Sequence, residues 1–285
     1  MSEAPAFERL LIRDRMITLA GLAALCALAW LYIVTGVGLG MSAWEMTTLT
    51  PFPHQQTRDM MPSMPGMDID AMSPAWTAWG FATWALMIAM WWIMMIAMMT
   101  PSAAPTILLF ARVHRHAFAQ GKVQGKLAPT GAFAAGYMLV WLAFAVAAAA
   151  LYWALESAGL VSTMMMGSQN RWLSGAILIA AGVYQLSPLK NICLTHCRAP
   201  TSFLSRHWRP HALGAFRLGA MHGAYCVGCC WMLMALLFAV GVMNLIWIAV
   251  LAILVLIEKV LPLGQWVGRV AGVAVIGWGV ATLVV

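Results

Sequence analysis

Charge is scarce in this 285-residue sequence: Asp, Glu, Lys and Arg make up 9% of it, and only nine of those residues are acids. A water-soluble globule of this length carries roughly a quarter of its residues as charges, so an ordinary soluble domain is excluded. There is no internal repeat, no long polar tail and no separable soluble segment, which leaves residues 1–285 as a single domain. No phosphate-binding loop of the Walker type and no phosphorylation signature is present, so coupling to ATP within the chain is not expected.

Apolar residues are abundant instead, at 63% of the sequence, with a mean hydropathy of +0.84. They form continuous runs rather than alternating ones. In lipid only helices and closed barrels satisfy their own backbone, and a helix needs about 20 apolar residues to cross the hydrocarbon core. The expected fold is therefore all-α, a polytopic transmembrane bundle of about seven spans. These fall near Met16–Leu39, Trp76–Leu109, Thr130–Leu155, Arg171–Ser187, Ala212–Val240, Asn244–Ile257 and Gly264–Val285. A cleavable signal is the weaker reading of the start. Arg13 and Arg15 precede an apolar run and Ala27-Leu28-Ala29 suits cleavage, but Trp30–Leu39 continues the run without a break.

The net charge of +7 is unevenly spread. With the N-terminus inside, three basic residues precede Met16, four lie in Arg112–Lys126, five in Lys190–Arg217 and two in Lys259–Arg269, against Arg58 and Arg171 outside. That asymmetry is the positive-inside pattern. It predicts a cytoplasmic N-terminus and an external C-terminus, with anionic lipid rather than nucleic acid as the partner of the basic loops.

Three groups of soft donors follow. His222, Cys226, Cys229 and Cys230 are spaced i, i+4, i+7 and i+8, one stripe of a helix. Cysteine also serves as a small packing residue where helices approach, yet three within five residues beside an intramembrane histidine favour a site. Cys193 and Cys197 face the same way on a continued helix, where Arg198 favours the thiolate form. On the cytoplasmic side a lasting disulfide between them is not expected.

The third group lies in the external, proline-rich loop 41–75, where Met60, Met61, Met64 and Met67 offer four thioethers near His54 and Met72. Thioethers bind without losing a proton and suit monovalent copper. Met164–Met166 is a weaker external cluster, equally readable as packing. In the second expected span Met87, Met90, Met94 and Met98 keep helical spacing, with Met95 and Met99 beside them. Such a ladder suits a soft cation, but methionine is also a flexible packing residue, and packing is the preferred reading. Glu258 at the end of the sixth span needs a partner or an aqueous interface.

The Met-Met-Ile-Ala-Met-Met-Thr-Pro run ending at Pro101, the Cys-Leu-Thr-His-Cys-Arg run ending at Arg198, the Cys-Val-Gly-Cys-Cys-Trp run ending at Trp231, and Glu258-Lys259 together resemble an uncharacterised bacterial family. Its members are described as predicted metal-binding integral membrane proteins. The resemblance covers roughly Ala75–Lys259 and implies membrane location and metal ligation by the cysteines; the expected membrane is the bacterial inner one. The expected function is handling of a soft metal, copper(I) before zinc, with external methionines collecting the ion and Cys226, Cys229, Cys230 and His222 relaying it toward Cys193 and Cys197. A metallochaperone or a membrane complex is the expected partner. Two alternatives stay open: a membrane thiol–disulfide oxidoreductase using the Cys-Val-Gly-Cys spacing, and an assembly factor for a metalloprotein complex.

Overall fold

The computed structural model describes residues 4–36, 47, 79–121, 128–162, 166–209 and 211–285. Among them are nine helices: α1 (Ala4–Thr35), α2 (Phe81–Ala119), α3 (Ala128–Ser157), α4 (Arg171–Leu186), α5 (Pro188–Arg198), α6 (Pro200–His207), α7 (Ala212–Val240), α8 (Leu245–Val260) and α9 (Gly264–Val284). The described extended backbone pairs in one isolated antiparallel bridge, Val161 with Ser168. The fold is all-helical, as the continuous apolar runs predict.

Local chemistry sets the breaks. Asn170 and Asn244 accept from the backbone N–H groups of Trp172 and Trp247 and so start α4 and α8. Pro188 lacks an N–H and cannot continue α4. It sits instead in the first turn of α5, whose Lys190 N–H is capped by the Ser187 hydroxyl, and the two helices meet at 61°. In α2, Pro101 cannot donate to the carbonyl of Ala97, and that freed oxygen accepts from the Cys26 thiol of α1 at 3.6 Å.

Five helices are long and apolar enough to cross a membrane, or six if the bent α4–α5 pair is one span. The expected count of about seven included α8, whose 16 residues rise only about 24 Å, short of a hydrocarbon core. Large apolar side chains are exposed along the outer faces, among them Leu139, Leu151, Val270, Val273 and Val280. An apolar surface of that kind is compatible with lipid and hard to sustain in water.

The helices α3 and α7 come close because Gly136, Gly219 and Gly223 lie at their seam. A Cβ on Gly219 would stand 1.9 Å from the Phe133 carbonyl oxygen, and one on Gly136 would stand 2.1 Å from that of Phe216. Helices α4 and α9 interlock similarly through Gly175, Gly182, Gly272 and Gly279. Small residues permit such approach, and the resulting dispersion contact drives association where lipid removes the hydrophobic effect.

Gly219→Ala should therefore lower the thermal unfolding midpoint of the detergent-solubilised protein, at a cost of about 1–3 kcal/mol from overpacking. Gly131→Ala, where an added Cβ meets nothing within 4 Å, should leave it unchanged or raise it. Equal midpoints for the two variants, followed by circular dichroism, would show that the seam is not close-packed.

Candidate metal centre

Helix α7 turns its stripe inward: His222, Cys226, Cys229 and Cys230 are all buried. The 61° bend folds α5 back against α7, bringing Cys197 to the same place and leaving Cys193 half-buried at its edge. The Cys197 thiol lies beside that of Cys229, and the Cys230 thiol lies beside those of Cys226 and Cys229. Cys193 Sγ rests over Gly228, 2.8 Å from where a Cβ would stand. All six cysteines are free.

The sulfurs are held by named partners. Cys229 and Cys230 both donate to the carbonyl oxygen of Cys226, at 3.1 and 2.9 Å. Cys226 Sγ meets the Tyr137 hydroxyl at 3.1 Å and accepts from Lys259 Nζ at 2.8 Å. Lys259 also donates to Ser102 Oγ at 3.3 Å. The cation at the thiols is thus Lys259 and not Arg198, which is turned away to donate to the carbonyls of Leu261 and Pro262 at 2.9 Å each.

A second buried network supports the first. Lys190 Nζ and Glu258 Oε2 stand 2.6 Å apart, each side chain 2% exposed. Gln185 donates to Glu258 and accepts from Lys190, so the amide is used from both ends. Lys190 begins the helix that carries Cys193 and Cys197, and Glu258 adjoins Lys259.

The expected site residues fall into three classes. Cys197, Cys226, Cys229 and Cys230 are brought together, with Cys193 adjoining. His222 lies one turn from Cys226 but among rings, 5.8 Å from Tyr137, 5.6 Å from Phe203 and 6.2 Å from Phe133 between centroids. Its Nδ1 is buried with no hydrogen-bond partner. Met60, Met61, Met64 and Met67 lie outside the described residues.

Among the described residues no three His, Cys, Asp or Glu side chains are already grouped around a metal position. The thiols are occupied with carbonyls, a phenol and an ammonium. Their chemistry nevertheless fits a soft monovalent ion: neighbouring thiols from two helices, a buried setting that excludes hard, hydrated cations, and a resident cation already among the sulfurs. Three participants escaped the sequence reading. Tyr137 carries no motif. Lys190 and Lys259 read by position as members of the basic loops, although Glu258 is the one acid after Glu156 in the sequence, a signal that a nearby Lys would be drawn to it.

A family model described as "PpoB2: Copper chaperone" matches residues 88–282, which include every thiol of the cluster, Met99 and Lys259. This agrees with the expected metal-related family while giving it another name and a reach beyond Lys259. No curated protein and no solved structure matches the chain.

Removing one partner of a buried ion pair strands the other, at about 3–5 kcal/mol. Glu258→Ala should therefore destabilise the protein severely. Lys190→Met combined with Glu258→Leu should recover much of the loss. Chemical denaturation of the single and double variants checks this, and additive losses would mean the pair is not coupled.

Proposed function

Since the chain belongs to this copper chaperone family, we propose that it is an integral membrane protein that holds copper(I) at the Cys226–Cys229–Cys230 thiols and passes it to Cys197 and Cys193. Copper is the cargo. The observation that carries the reading is the packing of α5 on α7, with Cys197 and Cys229 both buried and side by side at that seam, so that thiols from two helices lie within reach of one soft ion. An ion held on α7 can then move to α5 by exchanging one sulfur for another, with no large motion of either helix.

The rest of the site suits that role. Thiolates prefer soft ions, and thioethers suit copper(I) outside the cytoplasm, so the external loop methionines Met60, Met61, Met64 and Met67 are the weaker collecting donors and the thiols the stronger acceptors. Lys259 supplies positive charge that offsets thiolate charge in a low-dielectric interior. His222, next along the stripe, is the reserve donor on the other side of Cys226. Delivery from Cys193, the most accessible of the five thiols, fits a metallochaperone or a membrane complex as receiver.

The same pair of thiols is what a disulfide cycle would use, so the test must separate the two. Purified protein should carry copper after anaerobic copper(I) loading and lose it in Cys226/Cys229/Cys230→Ser. In Cys197→Ser the affinity should fall by about tenfold, or about 1.4 kcal/mol. Negligible copper in parent and variants alike sinks the proposal. A mass shift on alkylation that tracks oxidising and reducing growth would favour the oxidoreductase instead.

A further inference from the structure

Met99, the last methionine of α2, is remote from the thiols in sequence and adjacent to Cys230 in space. Two contacts fix how α2 lies along α7. Cys230 Sγ points to Met99 Sδ at 3.9 Å, and the ring of Trp91 stacks on Phe238 with centroids 5.1 Å apart. Eight residues back along α2 thus correspond to eight residues forward along α7, which makes the two helices antiparallel in a fixed register. That register places Met95 at the level of Met234, and Met87 at the level of the end of α7 that leads to Met243. There the Val242 N–H donates to the Met166 carbonyl at 3.1 Å. Met166, Met243, Met234 and all six methionines of α2 are buried.

From Met87 to Met99 is about 18 Å of helix, more than half of a hydrocarbon core. Filling the gap between α2 and α7 does not by itself require sulfur, since leucine has nearly the same volume and the exchange is usually tolerated. Methionine is unevenly spread through the bundle: α4, α8 and α9 contain none, α3 carries one and α7 three, against six on α2. Packing alone therefore does not account for the concentration of thioethers on the helix whose last methionine touches a site cysteine.

We propose that these methionines form a conduit for copper(I) from the Met166–Met243 end of the bundle to the thiols, with Met99 as the donor that hands the ion to Cys230. The destination rests on the copper reading above; the route is new. Each step exchanges one copper–sulfur bond for the next. No electron moves, and entry onto a cysteine releases that thiol's proton to the aqueous phase. Neutral thioethers hold a soft ion loosely and give hard cations little reason to enter, so the conduit is selective without being a trap.

The test uses the full chain in sealed vesicles with the Met166 end outward, copper(I) being supplied outside as its acetonitrile complex under anaerobic conditions. Growth of the thiolate-to-copper ultraviolet absorption gives the loading rate, and metal analysis gives the copper bound at equilibrium. Met94/Met95/Met98→Leu and the single Met99→Leu should each slow loading about tenfold or more, with equilibrium copper unchanged. Met221→Leu, on α7 but off the line, should load at the parent rate. If the triple variant does not fold, Met95→Leu and Met99→Leu carry the test alone. Leucine variants that load within about twofold of the parent rate overturn the conduit and leave the thiol site standing. A parent that takes up no copper at all overturns the copper reading itself.

Discussion

Two charges buried against each other set the geometry of the thiol cluster. Neither Lys190 nor Glu258 could be buried alone, because an isolated ion in an apolar interior costs several kcal/mol. Their 2.6 Å contact therefore ties the start of α5 to the end of α8. Cys193 and Cys197 follow Lys190 at three and seven residues, on the same face of the same helix. Fixing the ammonium fixes the sulfurs. Glu258 precedes Lys259, so the same anchor also sets where the second cation meets Cys226. Gln185, reaching in from α4, binds both members of the pair and keeps the bent helices in one arrangement.

Helix α7 joins this polar layer to the rest of the bundle. Toward α3 it presents Gly219 and Gly223, which bring the two backbones close enough for Tyr137 to reach Cys226. Toward α5 it presents Cys229, and toward α2 it presents Cys230. The spacing of the three cysteines therefore turns their sulfurs toward different neighbours while they remain beside one another. That explains how a cysteine-rich stripe can be fully buried without forming a ready-made ligand cage. A soft ion that is content with few donors suits such an arrangement better than one that demands four fixed ligands.

Much of the fold was legible because lipid-length apolar runs leave few alternatives, and the stripe from His222 to Cys230 was legible because helical spacing maps directly onto a face. Other features depend on contacts between segments far apart in sequence. Lys190 looks like one more basic loop residue until α5 folds back and buries it. Arg198 looks like the cation for Cys197, and only the turn at Leu261–Pro262 diverts it. The methionines of α2 read as packing, which they are, and their continuity with Cys230 becomes visible only once the register of α2 on α7 is known. The shortness of α8 follows from Leu261-Pro262, where a proline after the last turn prevents a longer run.

Gly228 is by composition the spacer of the cysteine-rich run, but it acts as a mould. Its missing side chain leaves a notch in α7 into which the sulfur of Cys193 settles, while its carbonyl is held by the Tyr184 hydroxyl from α4. The distance between the two sulfur groups is thus governed by a position that carries no donor at all. A single methyl there would press on the outermost thiol, so the spacing of the sulfurs has a steric control separate from their chemistry.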